Sequence, residues 1–438
     1  MNNLGNTSGS TVKKLGFYSV FFLGINSIIG SGIFLLPNKA YSDVGTASIL
    51  VILLNTLLAL TLALCFAESA SRFSRNGSAF VYAKEAFGNF VGFEVGIFTW
   101  FIGIASFSAE VQGLLTALAS LYPSFNDPFI NKISVVIICI FLGLLNYSGV
   151  KFSKILNNVI TVSKLIPLFF FVILGVFFIK GSEFTPIVPK MMDGLSTGMF
   201  GAATLTIFYA FTGFDLMAVA SEDMDNPKKN LPKAIISAIA FCSIFYLLIM
   251  MVSIGTLGDK LGSTSVPIAA ATAAMIGNAG FMFITIGSLV SISGITIALS
   301  FIAPHSAQAL AENGYLPAIF KEKSRFDTPG YAIALTTLIV IALATYGNFI
   351  FLAGLTVVAR LVEYIPTALS VIILRRKADA PPANYQIPFG YLIPGFALVV
   401  ALWLLFQAST EKLLFGAGGL VLGMIFYRIF LANKKAVE

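Results

Sequence analysis

The sequence predicts an all-α polytopic membrane protein, and three observations carry that fold class. The 438 residues are 57% hydrophobic and only 11% charged, with a mean hydropathy of +0.91, whereas a soluble domain is nearer about 25% charged. Apolar runs of about twenty residues, the length a helix needs to cross a bilayer, recur along the whole chain. Basic residues collect in alternate loops.

Reading runs between charged or Pro/Gly-rich breaks gives twelve spans: 15–36, 44–67, 91–121, 132–150, 155–179, 196–220, 233–257, 275–303, 330–346, 349–374, 390–408 and 412–432. No gap holds a soluble domain. The loops 68–90 and 304–329 are long enough for short amphipathic or re-entrant helices. The polar first 14 residues contain no apolar h-region, so the first span is expected to stay as an anchor rather than be cleaved as a signal peptide.

With the N-terminus in the cytoplasm, 19 of the 27 Lys and Arg residues fall in inside segments and 6 outside. Lys164 and Arg360 lie within spans. The positive-inside rule then puts both termini in the cytoplasm of a multi-pass protein of the cell inner (plasma) membrane. The same loop-by-loop distribution argues against nucleic acid as the reason for the +7 net charge. Cys65, Cys139 and Cys242 sit in apolar runs without metal-ligand spacing and read as buried thiols. The single histidine, His305, excludes a His-rich metal site, and no metal or cofactor is expected beyond a coupling proton.

The first span is interrupted at Gly30-Ser31-Gly32. A helix in hydrocarbon satisfies its own backbone, so such a break is tolerated only where it lines a cavity. Span 6 carries a second interruption at Thr212-Gly213, with Asp215 just beyond it. Small residues also let membrane helices pack closely, and one break alone reads that way. Two breaks five spans apart occupy corresponding positions if spans 1–5 and 6–10 are inverted repeats, and paired breaks point to a transporter site.

Four motifs follow in order: Ile29-Gly30-Ser31-Gly32-Ile33-Phe34; Ala67-Glu68 with Asn76-Gly77-Ser78-Ala79-Phe80-Val81-Tyr82; Gly213-Phe214-Asp215 with Glu222 and Asn226-Pro227-Lys228-Lys229-Asn230-Leu231-Pro232; and Ala309-Leu310-Ala311-Glu312-Asn313-Gly314-Tyr315-Leu316-Pro317. In this order and spacing the chain resembles the amino acid–polyamine–organocation (APC) superfamily, in its bacterial amino-acid permease branch. Ser78-Ala79 departs from that pattern, as does His305, where relatives often carry Arg. The resemblance implies a LeuT-like fold. A cytoplasmic tail 1–14 precedes one five-helix repeat over 15–180. The inverted repeat follows over 196–374, then two added helices over 390–432 and a tail 433–438. It also implies alternating access around a site between spans 1, 3, 6, 8 and 10, with a small amino acid as partner and lipid around it. The sequence does not set the oligomeric state.

An amino acid's carboxylate needs donors, and the N–H groups of Ser31, Gly32 and Ile33 open the second half of span 1, where the helix dipole carries roughly +0.5 charge. Its ammonium needs acceptors, expected at the carbonyls of Ile28, Phe208, Ala210 and Phe211. By resemblance, Tyr209 matches an aromatic lying over the substrate as a thin gate. Five charges sit inside spans, Glu110, Lys164, Asp215, Arg360 and Glu363, at about 2.5–3.5 kcal/mol each near a helix centre.

Lys164 resembles the family lysine that replaces a sodium ion. It is expected to bond span 1 carbonyls near Gly24 and Ile25, either coupling transport to protons or only tethering span 5 to span 1. Desolvation disfavours a charged ammonium, which makes proton release available to it. Glu110 suits a cationic side chain or a proton, or else is a neutral acid bonded within the bundle. Arg360 and Glu363, at i and i+3, are expected to pair. Asp215, Glu222 and Glu68 read as inner gating or structural charges, and His305 as a satisfied interfacial residue rather than a proton relay.

An intramembrane protease, a channel and a nutrient sensor each lack the motif or domain they need. The readings left are a proton-coupled, sodium-independent amino-acid transporter and an obligate exchanger of amino acids or of an amino acid against a polyamine. Glu110 tilts the substrate toward a cationic or broad neutral range.

Overall fold

Backbone polar groups in hydrocarbon must be satisfied within their own segment, and the described residues meet that demand with helices. The structure, a computed structural model, describes residues 16–73, 79–149, 154–186, 197–219 and 224–431. Glu222 and the loop residues Asn76, Gly77 and Ser78 lie outside them.

The first interrupted span is α1 (Phe17–Ile28) and α2 (Ser31–Leu35), followed by α3 (Pro37–Val44). Next come α4 (Ser48–Arg72), the short α5 (Ala79–Phe87), α6 (Asn89–Ala119), α7 (Pro128–Tyr147) and α8 (Lys154–Gly175). The second interrupted span is α9 (Thr197–Phe211) and α10 (Leu216–Val219). The remainder is α11 (Pro227–Leu257), α12 (Pro267–Ile276), α13 (Asn278–Glu312), α14 (Gly330–Tyr346), α15 (Phe349–Arg376), α16 (Leu392–Phe406) and α17 (Thr410–Leu431).

Among the described residues, seven helices are long and apolar enough to cross a membrane, and spans 1, 5, 6, 9 and 11 of the sequence fall on shorter apolar helices. The chain is a multi-pass membrane protein. Side-chain caps fix some starts: Asp127 accepts from the N–H groups of Phe129 (2.9 Å) and Ile130 (3.0 Å) at α7, and Asn348 from Phe351 (2.9 Å) at α15.

Several helix ends shift by a few residues from the sequence reading, and one shift is larger. The loop drawn from 304 is helical as far as Glu312, because α13 runs through Pro304. Proline cannot donate to the carbonyl four residues back. Asn146 of α7 supplies the missing donor, its Nδ2 lying 2.8 Å from the Ser300 carbonyl.

Packing is paired along the chain. Helix α4 packs on α11 and α6 on α13; α1 meets α11 as α9 meets α4; α6 meets α15 as α13 meets α8. At the edges, α7 and α17 turn apolar side chains such as Ile137, Phe141, Leu422 and Ile425 outward, where lipid rather than water is the solvent.

Candidate functional site

Helix α1 ends when Ile29 leaves helical geometry (φ −78°, ψ 99°) after its N–H closes the last turn onto Ile25. Gly30 is extended, and Ser31 and Gly32 already belong to α2. The break is therefore Ile29-Gly30, at the front edge of the expected triplet. Gly32 is needed for close approach: a Cβ there would lie 2.9 Å from Cα of Ala210.

Helix α9 ends at Phe211, where both the hydroxyl (2.7 Å) and the N–H (3.2 Å) of Thr212 turn back onto the Tyr209 carbonyl. Gly213 follows at φ +105°, and a Cβ on it would collide with the Ser27 carbonyl. The two breaks thus touch backbone to backbone. The carbonyls of Ala210 and Phe211 accept no hydrogen bond among the described residues.

A cavity of about 120 Å³ lies where the breaks meet. One wall is Leu23, Asn26, Ser27, Ile28, Gly30 and Gly32, facing Tyr209, Ala210, Thr212, Gly213 and Leu216. Ser106 and Glu110 of α6 and Arg360 of α15 add polar groups, while Gly294, Ile295, Ala298, Leu299 and Ile302 of α13 form an apolar side. On the α2 side, the ring of Tyr209 meets Phe349 edge-on at 6.0 Å.

Glu110 is buried, and its Oε1 takes three donors: the Ser31 hydroxyl at 2.8 Å, the Tyr209 hydroxyl at 2.9 Å and the Ser31 N–H at 3.4 Å. Its Oε2 has no partner among the described residues, and neither has Oγ of Ser106 one turn earlier. Lys164 is fully buried, its Nζ donating to the carbonyls of Asn26 (2.9 Å) and Ile29 (2.8 Å). These flank the end of α1, further along than the expected Gly24 and Ile25, because the helix continues to Ile28 and the carbonyls at its last turn lack helical donors.

Arg360 does not pair with Glu363. Its Nη1 reaches Oδ1 of Asp215 at 2.5 Å, and the Tyr364 hydroxyl donates to the same oxygen at 2.7 Å. Spacing of i, i+3 places Arg360 and Glu363 near each other, but Asp215 and Tyr364 together offer the guanidinium a better-bonded carboxylate. Nε of Arg360 has no partner among the described residues. Glu68 is fully buried and accepts from Arg72 (3.1 Å), from Arg375 through Nε (2.8 Å) and Nη2, and from the Ile387 N–H (2.9 Å), tying α4 to the chain after α15. His305 is exposed, with Nδ1 2.6 Å from the Phe301 carbonyl.

Of the expected site residues, Ile28, Gly32, Glu110, Tyr209 and Ala210 line the cavity. Ser31 reaches it through Glu110. Ile33, Phe208, Phe211, Lys164, Glu68 and Glu363 are buried away from its lining, and the partly buried Asp215 also lies outside it. The Ile28 carbonyl already accepts the Tyr246 hydroxyl at 3.2 Å. Span 8, here α13, was expected at the site, but Ser106 and the individual α13 residues went unnamed, since a serine and apolar residues within apolar runs give no signal. A larger groove of about 670 Å³ between α6, α14 and α17 is apolar throughout. The indole N–H of Trp100, which lines it, is spent on Thr336 at 3.1 Å, so the groove suits acyl chains rather than a polar solute.

Comparison with known proteins agrees with this architecture. A family model described as amino acid permease matches residues 15–427. The chain is 28% identical to the methylthioribose transporter of Bacillus subtilis, over 98% of this chain and 95% of that one. It is 33% identical to an uncharacterized transporter of Mycobacterium tuberculosis (84% and 82%), and 26% identical to the serine/threonine exchanger SteT of Bacillus subtilis (97% and 97%). The chain belongs to the amino acid permease family of the APC superfamily, whose members are transporters and not enzymes.

Proposed function

From that membership, we propose a secondary active transporter that moves an α-amino acid across the cytoplasmic membrane by alternating access, without sodium and coupled to protons. The observation that carries this reading is the cavity at the contact between the two breaks. There, polar atoms of Glu110, Ser106 and Arg360 lack partners among the described residues, and the Ala210 carbonyl is unspent among them.

Twelve spans with inverted repeats over 15–180 and 196–374, and two further helices over 390–432, are supported by packing pairs that recur five spans apart. Both termini are read as cytoplasmic. The cavity extends toward Leu23, Leu216 and Ile302 and is covered by Tyr209 and Phe349 on the other side, as in a carrier whose outer side is shut.

The ammonium of Lys164 rests on two carbonyl oxygens, ligands of the kind a sodium ion would use, and this supports sodium independence. Glu110 and Lys164 are the candidate proton carriers. The alternative mode, obligate exchange, draws support from the exchanger among the relatives. Full-length protein in proteoliposomes tests the reading. A proton-coupled carrier accumulates substrate on a pH gradient alone, whereas an exchanger requires internal substrate.

One observation favours a second reading. Glu110 already supplies a carboxylate to the donors an amino acid's carboxylate would use. A neutral hydroxylated solute, of the kind the methylthioribose relative is named for, would then fit beside it. A thermal-shift screen of amino acids, polyamines and neutral thio-sugars separates the two.

A further inference from the structure

We infer that the substrate is a small neutral α-amino acid with a preference for a side-chain hydroxyl, and that Ser106 reads that hydroxyl. This rests on the amino-acid reading above.

The parts all amino acids share belong at the two breaks. What remains for the side chain is the compartment between Ser106 and the α13 residues Gly294, Ile295, Ala298 and Leu299. The cavity of about 120 Å³ is slightly smaller than the roughly 150 Å³ that encloses a benzene ring. It therefore favours the smallest amino acids, alanine, serine, threonine or valine, with little room to spare. Lysine and arginine exceed that, and the guanidinium of Arg360 on the cavity wall opposes a cationic side chain.

Polarity narrows the choice. Three Ser or Thr hydroxyls line the cavity. Ser27 donates to the Leu23 carbonyl at 2.9 Å and Thr212 to the Tyr209 carbonyl at 2.7 Å, so both are spent. Ser106 is 5% exposed and its Oγ has no partner among the described residues. Ser108, two residues on, bonds back to the Ile104 carbonyl at 2.8 Å, the usual economy for a helical serine. A buried hydroxyl left unpaired is costly, and Ser106 faces the one compartment from which a ligand can supply a partner. A site that hydrogen-bonds a hydroxyl discriminates against an analogue lacking it more sharply than one that senses only a methylene.

Threonine and valine have the same shape and differ in hydroxyl against methyl, so their ratio isolates this contact. Competition for uptake into proteoliposomes is measured for full-length wild type and Ser106→Ala. Wild type is expected to favour threonine over valine, and serine over alanine. Ser106→Ala should lower the threonine-to-valine ratio about tenfold, with valine-dependent thermal stabilisation reporting that the site is intact. An unchanged ratio in Ser106→Ala, or wild-type preference for lysine or arginine, overturns the inference while leaving amino-acid transport standing. Absence of binding by every amino acid overturns both.

Discussion

The hydroxyl of Ser31 donates to Oε1 of Glu110 across 2.8 Å, joining the first helix break to the middle of α6. A solute carboxylate and an ionised Glu110 would compete for the same donors, and like charges so placed disfavour each other. Protonation of Glu110 removes the conflict. Uptake is therefore expected to rise as external pH is lowered. Glu110→Gln, which copies the protonated form, should make uptake insensitive to pH while counterflow persists. Uptake in Glu110→Gln that still follows pH as in wild type would refute this role.

Lys164 makes a separate prediction. Its ammonium satisfies two carbonyls at the end of α1. Lys164→Ala is expected to abolish accumulation on a proton gradient, because α1 loses its support on α8 and any proton carried there is lost. Full proton dependence in this variant would reduce Lys164 to a tether. Sodium titration should leave wild-type uptake unchanged.

In the Asp215–Arg360 pair the guanidinium is buried and the carboxylate keeps only a small exposed fraction. Removing one partner of such a pair strands a charge at a cost of about 3–5 kcal/mol, whereas replacing both is often near neutral. Asp215→Asn and Arg360→Met should each lower thermal stability. The double variant should recover most of the loss. Additive losses in this cycle would mean the two do not act as a pair.

Contact between the two breaks predicts intolerance of added volume. Gly32→Val meets the Ala210 backbone, and Gly213→Ala meets the Ser27 carbonyl at a φ that side chains rarely adopt. Overpacking of this kind costs about 1–3 kcal/mol, and it falls where the site must close. Transport should drop by about tenfold or more in each variant while circular dichroism still reports a helical fold.

Much of the fold was legible because hydrocarbon imposes one simple rule on the backbone. Long apolar runs such as those of α4, α6, α11 and α15 announced themselves by length alone. The paired breaks were visible as Gly30-Ser31-Gly32 and Thr212-Gly213 because they recur five spans apart, where either one alone would read as close helix packing. Partnerships were less legible. The sequence put Arg360 with Glu363, its neighbour along the helix, whereas the structure finds Asp215 145 residues away. The end of α13 was hidden because Pro304 signals a stop, and only the fold brings Asn146 to the exposed carbonyl. Ser106 was invisible for the opposite reason: nothing distinguishes a serine that bonds its own helix from one that does not.

The join at Ile29-Gly30 also sets a lever. Lys164 grips the chain beside it, and α1 extends away from it for 12 residues, about 18 Å at the helical rise. A tilt of about 20° at the join would carry the far end of α1 sideways by about 6 Å. A small rotation next to the cavity thus becomes a wide displacement at the remote end, with the gripped end held nearly still.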